Sequence, residues 1–256
     1  MSPVRIHYRE AGDGPPIVFL HSGWGHAIYP FDRQSDPLSL HHRVVIPDRS
    51  GYGQSTPIAS LPADFHHRAV EETRSVLDTL GLERPVVWGH SDGAVIALLL
   101  ALAAPDRIAA AVVEATHLFK KKPRSRAFFA SLIANPQALG PATSSTLARD
   151  HGPDWPRVIE RHSRAWRQIA DEAASNSEDF YDGRLGEMAV PVLMIHGARD
   201  PRTEPGEIDA LRRALEQRPG GPRRQVIVLP DGGHSPHSER TTADEVTRLT
   251  REFLDA

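Results

Sequence analysis

The stretch that decides the fold is Pro85-Val86-Val87-Trp88-Gly89-His90-Ser91-Asp92-Gly93, which leads into the apolar residues 94–104. Strand-forming residues give way to a short turn, and a run of helical length follows directly. A serine on such a turn projects its hydroxyl above the end of the strand, and the flanking glycines are needed because a β-carbon would collide across the turn. The stretch therefore predicts Ser91 as a nucleophile. The alternative is a plain glycine-rich turn.

Outward from this stretch, short β-branched runs alternate with helical patterns along the chain. Runs that are apolar at consecutive positions are typical of strands buried on both faces. The predicted strands are residues 4–8, 16–20, 43–46, 85–88, 110–113, 192–195 and 225–229, and the predicted helices lie near 65–80, 93–103, 207–215 and 243–254. The alternation predicts an α/β fold with a mostly parallel, twisted sheet, right-handed crossovers and helices on both faces.

One segment breaks the alternation, because residues 118–189 show helical periodicity and no strand pattern. A helical stripe in it consists of Trp155, Ile159, His162, Trp166 and Ile169. Asp154 precedes that stripe and is a candidate N-cap. We expect a small helical cap at 118–189, inserted in a core made of 1–117 and 190–256.

Two further residues complete a possible triad with Ser91. Asp200 follows the predicted strand 192–195, and His234 follows the predicted strand 225–229. The carboxyl ends of parallel strands meet at one edge of the sheet, where open α/β sheets bind their ligands. A serine needs a base, and the base needs an acid that orients it. The chain order Ser91, Asp200, His234 is also one known order of this triad.

Other arrangements of these groups have to be weighed. Glu114 follows the predicted strand 110–113 and competes with Asp200 for the acid position. His234, His237 and Glu239 have spacings that a metal could use, but Pro236 and the preceding glycines indicate a loop. We prefer Asp200 as the acid, His234 as the base and no metal.

Stabilisation of an oxyanion requires backbone N–H groups near the nucleophile. Asp92 supplies one at the start of a helix, and the loop His21-Ser22-Gly23-Trp24-Gly25 supplies the second, for which we favour Gly23. Trp24 is a candidate wall of the substrate pocket. Trp155 and Trp166 are further candidates, with simple packing of the cap as the alternative.

Taken together, these motifs resemble the α/β-hydrolase-fold serine hydrolases along nearly the whole chain. The resemblance rests on His21-Ser22-Gly23-Trp24, the segment 48–55, the turn at Ser91, the segment 197–200 and Gly233-His234. Ser22 departs from the glycine usual after the histidine. Ser-Asp-Gly at 91–93 and residues 151–155 are similar to the valacyclovirase (biphenyl-hydrolase-like) branch.

The resemblance implies an enzyme that cleaves a carboxyl ester, lactone or thioester of a small to medium, partly apolar substrate through an acyl-enzyme, with no cofactor. In the valacyclovirase branch, the acid after the nucleophile engages a substrate amino group, which makes Asp92 a candidate for that contact. The alternative is that its carboxylate only complements the helix N-terminus. Carbon–carbon bond hydrolysis on the same triad, or a non-catalytic small-molecule receptor, are the alternative functions.

Composition excludes several classes of protein. The chain has 256 residues, 30 Lys and Arg against 33 Asp and Glu, and no cysteine. A net charge of -3 argues against binding nucleic acid through bulk charge, and the absence of cysteine excludes disulfides and thiolate metal sites. We expect a cytoplasmic protein with a small-molecule substrate and no membrane contact; its oligomeric state is not predicted.

The basic run at 120–126 suggests a solvated hinge or an acidic-partner contact, and the pairs His41-His42 and His66-His67 are expected to be solvated or locally bonded.

Overall fold

The computed structural model describes residues 4–216 and 221–255 and has a seven-stranded sheet at its centre. The strand order is β1-β3-β2-β4-β5-β6-β7, with β1 antiparallel to β3 and all other neighbours parallel. The strands are β1 (Tyr8–Ala11), β2 (Pro16–Leu20), β3 (Arg43–Pro47), β4 (Val86–His90), β5 (Ala110–Glu114), β6 (Val192–Gly197) and β7 (Arg224–Leu229). The predicted α/β-hydrolase fold, with its mostly parallel sheet, is confirmed.

Helices cover both faces of this sheet. The α-helices are α1 (Asp32–Leu38), α2 (Phe65–Thr79), α3 (Asp92–Ala103), α4 (Pro123–Ala134), α5 (Pro141–His151), α6 (Trp155–Glu172), α7 (Glu207–Glu216) and α8 (Ala243–Leu254). Alternate side chains of β2 enter the two cores. Val18 and Leu20 belong to the cluster that includes side chains of α2, α3 and α7, whereas Ile17 and Phe19 belong to the cluster that includes side chains of α1 and α8. This two-sided burial explains why β2 is apolar at consecutive positions.

The first strand differs from its prediction. It spans Tyr8–Ala11 instead of residues 4–8, because its partner β3 pairs only with these four residues. The preceding residues pair with a loop instead. The Thr56 N–H donates to the Arg5 carbonyl at 2.9 Å, while the N–H groups of Arg5 and His7 donate to Thr56 Oγ1 and Ser55 Oγ, each at 2.8 Å. Alternation of side chains predicted extended backbone there but not its partner.

The helices α4, α5 and α6 all lie between β5 and β6, which are neighbours in the sheet. Helices α4 and α6 pack against each other, and an isolated bridge between Phe119 and Asp179 joins the two ends of the segment. Asp154 immediately precedes α6, but its side chain makes no capping hydrogen bond. We call the segment from α4 to α6 the helical insertion.

No helix in the two described ranges is both long enough and apolar enough to cross a bilayer.

Candidate active site

The tight turn after β4 carries Ser91 in a backbone conformation that side chains rarely adopt. Its φ is 55° and its ψ is −115°, and its N–H donates to the Glu114 carbonyl at 2.9 Å. A β-carbon on Gly93 would lie 2.0 Å from the Leu20 carbonyl oxygen, and one on Gly89 would lie 2.1 Å from the Gly93 carbonyl oxygen. The glycines therefore let strand, turn and helix approach closely, and such stored strain is typical of functional sites.

The three residues of the expected triad meet at the carboxyl edge of the sheet. His234 Nε2 lies 3.2 Å from Ser91 Oγ, and His234 Nδ1 lies 2.9 Å from Asp200 Oδ2. Because a carboxylate only accepts hydrogen bonds, Nδ1 carries the proton and Nε2 is free to accept from the serine hydroxyl. This is the tautomer that a general base for Ser91 requires.

The surroundings of Asp200 keep it ionised. Its Oδ1 accepts the Arg202 N–H at 2.8 Å, and its Oδ2 lies 3.5 Å from His196 Nε2. Burial opposes ionisation, but the His234 and His196 imidazoles hold the pKa of the Asp200 carboxyl well below its ordinary value. Burial lowers the pKa of His234, and the charge of Asp200 opposes that shift. The base is thus neutral at neutral pH.

The loop after β2 lies against the start of α3, as an oxyanion hole requires. A β-carbon on Gly23 would lie 2.6 Å from Asp92 Oδ2 and 1.9 Å from His162 Nε2, so this position has room only for glycine. The loop is held from behind, because Arg49 Nη2 donates to the Ser22 carbonyl at 2.7 Å. The N–H of Asp92 lies in the first turn of α3, where the helix offers it no acceptor.

The Asp92 carboxylate is buried and accepts three N–H groups. His66 Nε2 and Trp166 Nε1 lie 3.2 and 3.1 Å from Oδ1, and His162 Nε2 lies 2.8 Å from Oδ2. Burial opposes ionisation of Asp92, but His162 and His66 hold the pKa of the carboxyl well below its ordinary value. His66, expected to be solvated or locally bonded, is instead buried and bonds to Asp92, 26 positions along the chain. The carboxylate is 1% exposed, so the structure surrounds it with side chains of α2 and α6.

A second histidine lies beside the Ser91 hydroxyl, and the sequence reasoning missed it. His117 Nε2 lies 3.4 Å from Ser91 Oγ, and the His117 ring lies parallel to that of His234, with centroids 6.0 Å apart. Burial and the nearby Lys122 ammonium hold the pKa of His117 well below its ordinary value. His117 follows β5, so the rule that selected Asp200 and His234 would have found it.

Glu114 is also at this edge, but it contacts other groups. Its Oε1 accepts the Trp88 indole N–H at 2.7 Å, and its Oε2 accepts the His237 backbone N–H at 2.9 Å and faces the ring Nδ1 of the same histidine at 3.3 Å. Glu239 accepts the backbone N–H groups of Gly233 and Ser235 and so shapes the loop that carries His234. Within residues 4–216 and 221–255, no group of three acidic, His or Cys side chains could hold a metal ion.

The three candidate pocket tryptophans take two different positions. Trp24 and Trp155 lie in one apolar cluster with Leu132, Leu147 and Ile159 of the helical insertion. Trp166 lies closer to the chemistry, since it bonds to Asp92 and its ring meets the His117 ring edge-on at 4.9 Å between centroids. Of the three, Trp166 is thus the one in contact with groups around Ser91.

Comparison with known proteins agrees with this geometry. The serine hydrolase BPHL of Homo sapiens is 26% identical over 255 residues, which cover 98% of this chain and 83% of the relative. The 2-hydroxy-6-oxononadienedioate/2-hydroxy-6-oxononatrienedioate hydrolase 1 of Dechloromonas aromatica is also 26% identical, with coverages of 98% and 91%. The solved enol-lactonase from Burkholderia xenovorans LB400 has the same fold, with a TM-score of 0.71, 20% identity and coverages of 99% and 97%.

The family model described as the alpha/beta hydrolase fold matches residues 15–241. This match covers most of the chain, including Ser91, Asp200 and His234. The protein therefore belongs to the α/β-hydrolase fold family, with a resemblance that extends to the branch containing BPHL.

Proposed function

We propose that the protein is a serine hydrolase that cleaves a carboxyl ester, lactone or thioester of a small to medium, partly apolar substrate. The observation that carries the proposal is the continuous contact from Ser91 Oγ to His234 Nε2 at 3.2 Å and from His234 Nδ1 to Asp200 Oδ2 at 2.9 Å. A nucleophile, a base of the right tautomer and an orienting acid are what acyl transfer through a serine needs.

In the proposed reaction, His234 accepts the Ser91 proton while the hydroxyl oxygen attacks the substrate carbonyl carbon. The backbone N–H groups of Gly23 and Asp92 stabilise the oxyanion, and His234 then passes its proton to the leaving group. A water molecule gives a proton to the same imidazole as it attacks the acyl-enzyme. The imidazolium then returns that proton to Ser91 Oγ as this oxygen leaves, which releases the acid and restores Ser91 and the neutral His234. Each hole donor contributes about 3 kcal/mol of transition-state stabilisation.

The nucleophile is tested with a panel of p-nitrophenyl esters, lactones and thioesters of varied acyl length. We expect turnover by the parent protein and covalent labelling by an organophosphonate, with both lost in Ser91→Ala. Arg164→Gln is the matched control, because Arg164 is exposed on α6 and pairs only with Glu160 in the described structure. Full turnover by the Ser91→Ala variant would refute the assignment.

A β-diketone substrate and a measurement of small-molecule binding, added to this panel, separate the two alternative functions. Cleavage of a β-diketone carbon–carbon bond with no turnover of any ester would favour the carbon–carbon hydrolase, an activity on the same triad. A small molecule that binds tightly and leaves unchanged would favour a receptor. The strained conformation of Ser91 and the ionised Asp200 support catalysis over binding alone.

The carboxylate of Asp92 has two proposed roles. Selection of a cationic substrate requires it to bind an ammonium group, but the carboxylate is 1% exposed and already accepts N–H groups from His66, His162 and Trp166. We therefore favour a positioning role, in which Asp92 holds α6 above the nucleophile. Amino-acyl esters and their deaminated analogues should then react with similar kcat/KM in the parent protein. A preference for the amino-acyl ester that disappears in Asp92→Asn would favour the ammonium contact.

We also propose that residues 118–189 form a cap over the active site. The contacts of His162 and Trp166 with Asp92 support this role, because they bring α6 of the helical insertion onto the residue that follows the nucleophile.

A further inference from the structure

A cavity of about 330 Å³ lies in the helical insertion, between the start of α4 and the second half of α6. Two of the residues that line it are Phe129 and Trp166, whose rings stack with centroids 5.7 Å apart and planes 11° apart. These rings give the cavity an apolar, planar wall. Its volume is at the lower end of the range of about 300–1,000 Å³ that is usual for small-molecule sites.

The charged residues that line this cavity are mainly cations. Arg126 pairs with Asp171 at 3.0 Å, and the buried Lys122 ammonium pairs with Glu207 outside the lining. Lys121 and Arg167 have no hydrogen bond or ion pair from their side chains to any residue in the described ranges. Glu178 lies within electrostatic range of Lys121 but is bound by Lys120. In the described ranges, Arg167 therefore has no hydrogen-bonded or ion-paired partner, and Lys121 shares the charge of Glu178 with Lys120.

Arg167 carries an additional sign of a missing partner. Its Nε is buried and has no hydrogen-bond acceptor among the described residues. A buried donor without an acceptor destabilises the folded state. An arginine fork binds a carboxylate through two parallel hydrogen bonds, which would supply that acceptor.

We propose that this cavity binds an organic anion, namely a carboxylate on a planar apolar body. Its acid group would contact Arg167 and Lys121, and its ring would pack on Phe129 and Trp166. The basic run at 120–126, expected to be a solvated hinge or an acidic-partner contact, thus contributes Lys121 to a small-molecule site. Lys122 of the same run is 4% exposed and forms an internal ion pair with Glu207.

This site adjoins the catalytic residues through one side chain. Trp166, which lines the cavity, also donates to Asp92 Oδ1 at 3.1 Å and packs against His117, which lies 3.4 Å from Ser91 Oγ. An occupant would therefore contact a residue that helps to hold the start of α3. The binding itself does not rest on the proposed hydrolase function.

The test is calorimetric titration of the Ser91→Ala protein with benzoate, its neutral analogue benzamide, and inorganic phosphate. We expect benzoate to bind at least tenfold more tightly than either of the other two. Arg167→Gln and Lys121→Gln, each in the Ser91→Ala background, should each weaken benzoate at least tenfold. Arg164→Gln in the same background is the control from the same helix and should bind benzoate like the parent.

Equal binding of benzoate and benzamide would overturn the role of charge, and equal binding of benzoate and phosphate would overturn the apolar wall. Benzoate affinity unchanged in both Arg167→Gln and Lys121→Gln would overturn the site. Because the titrated protein lacks the nucleophile, none of these results depends on whether the enzyme hydrolyses esters.

Discussion

Replacing Asp92 by alanine should remove a large part of the stability of the fold. The change deletes the only charged acceptor that residues 4–216 and 221–255 offer to the N–H groups of His66, His162 and Trp166, which are 2%, 3% and 3% exposed. Removing one partner of a buried ionic contact costs about 3–5 kcal/mol, since the remaining donors stay buried without an acceptor. We expect the free energy of unfolding to fall by about 4 kcal/mol, which corresponds to a Tm lower by about 10 °C for a chain of this size.

The measurement is urea unfolding followed by far-UV circular dichroism, with the m-value checked for constancy. Asp154→Ala is the control, because Asp154 is exposed and makes no capping hydrogen bond to α6. Asp92→Asn keeps one acceptor oxygen and should fall between the parent and Asp92→Ala. If Asp92→Ala costs less than about 1 kcal/mol, the three contacts do not hold the helical insertion as we argue.

Three further outcomes follow from the electrostatics of the site. Burial lowers the pKa of His21, His90 and His117 well below 6.5 and that of His26 to about 4. The unfolded chain therefore binds more protons than the folded chain below about pH 6.5, and the free energy of unfolding, measured by urea titration, should fall by about 5 kcal/mol from pH 7.5 to 5.5. An unchanged free energy of unfolding would contradict neutral buried imidazoles. Asp200→Asn should lower kcat for a p-nitrophenyl ester about 10⁴-fold. The acid limb of the pH profile of kcat/KM should move to lower pH, because the charge of Asp200 opposes the lowering of the His234 pKa and its removal lets that pKa fall further. An acid limb that moves to higher pH would contradict this reasoning. His117→Leu should lower kcat about tenfold, whereas His117→Gln, which keeps an N–H donor, should retain most of the parent kcat. An equal loss of kcat in both variants would indicate that His117 contributes only packing.

The sheet could be predicted from sequence because its signal is local. Six of the seven predicted strands lie within two residues of the observed bounds, since consecutive apolar positions identify strands buried on both faces. The first strand was placed wrongly because its partner, β3, lies more than thirty residues away, and alternation of side chains does not reveal where pairing begins. The short helix α1, with Pro37 inside it, also gave no periodic signal.

The positions of Ser91, Asp200 and His234 followed from one rule, that the residues after parallel strands meet at one edge. The partners of Asp92 could not follow from it, because His66 lies inside α2 and His162 and Trp166 lie inside α6. Helical spacing placed His162 and Trp166 on one apolar stripe, but only the packing of the helical insertion on α3 decides that this stripe meets a carboxylate. The resemblance that suggested an amino-group contact for Asp92 carried no information about those donors.

The two imidazoles beside Ser91 Oγ differ in what lies on their other side, and this difference determines the direction of proton transfer in the proposed reaction. His234 has Asp200 at its Nδ1, so an imidazolium formed there is stabilised. In the described chain, no carboxylate is hydrogen-bonded to His117, and Lys122 disfavours a second positive charge on that ring. Since the serine hydroxyl donates to His234, the contact with His117 is favourable only if His117 Nε2 carries a proton and donates it. His117 then stabilises negative charge on Oγ, both as the hydroxyl attacks and as Oγ leaves the acyl-enzyme, without competing for the proton that His234 must carry.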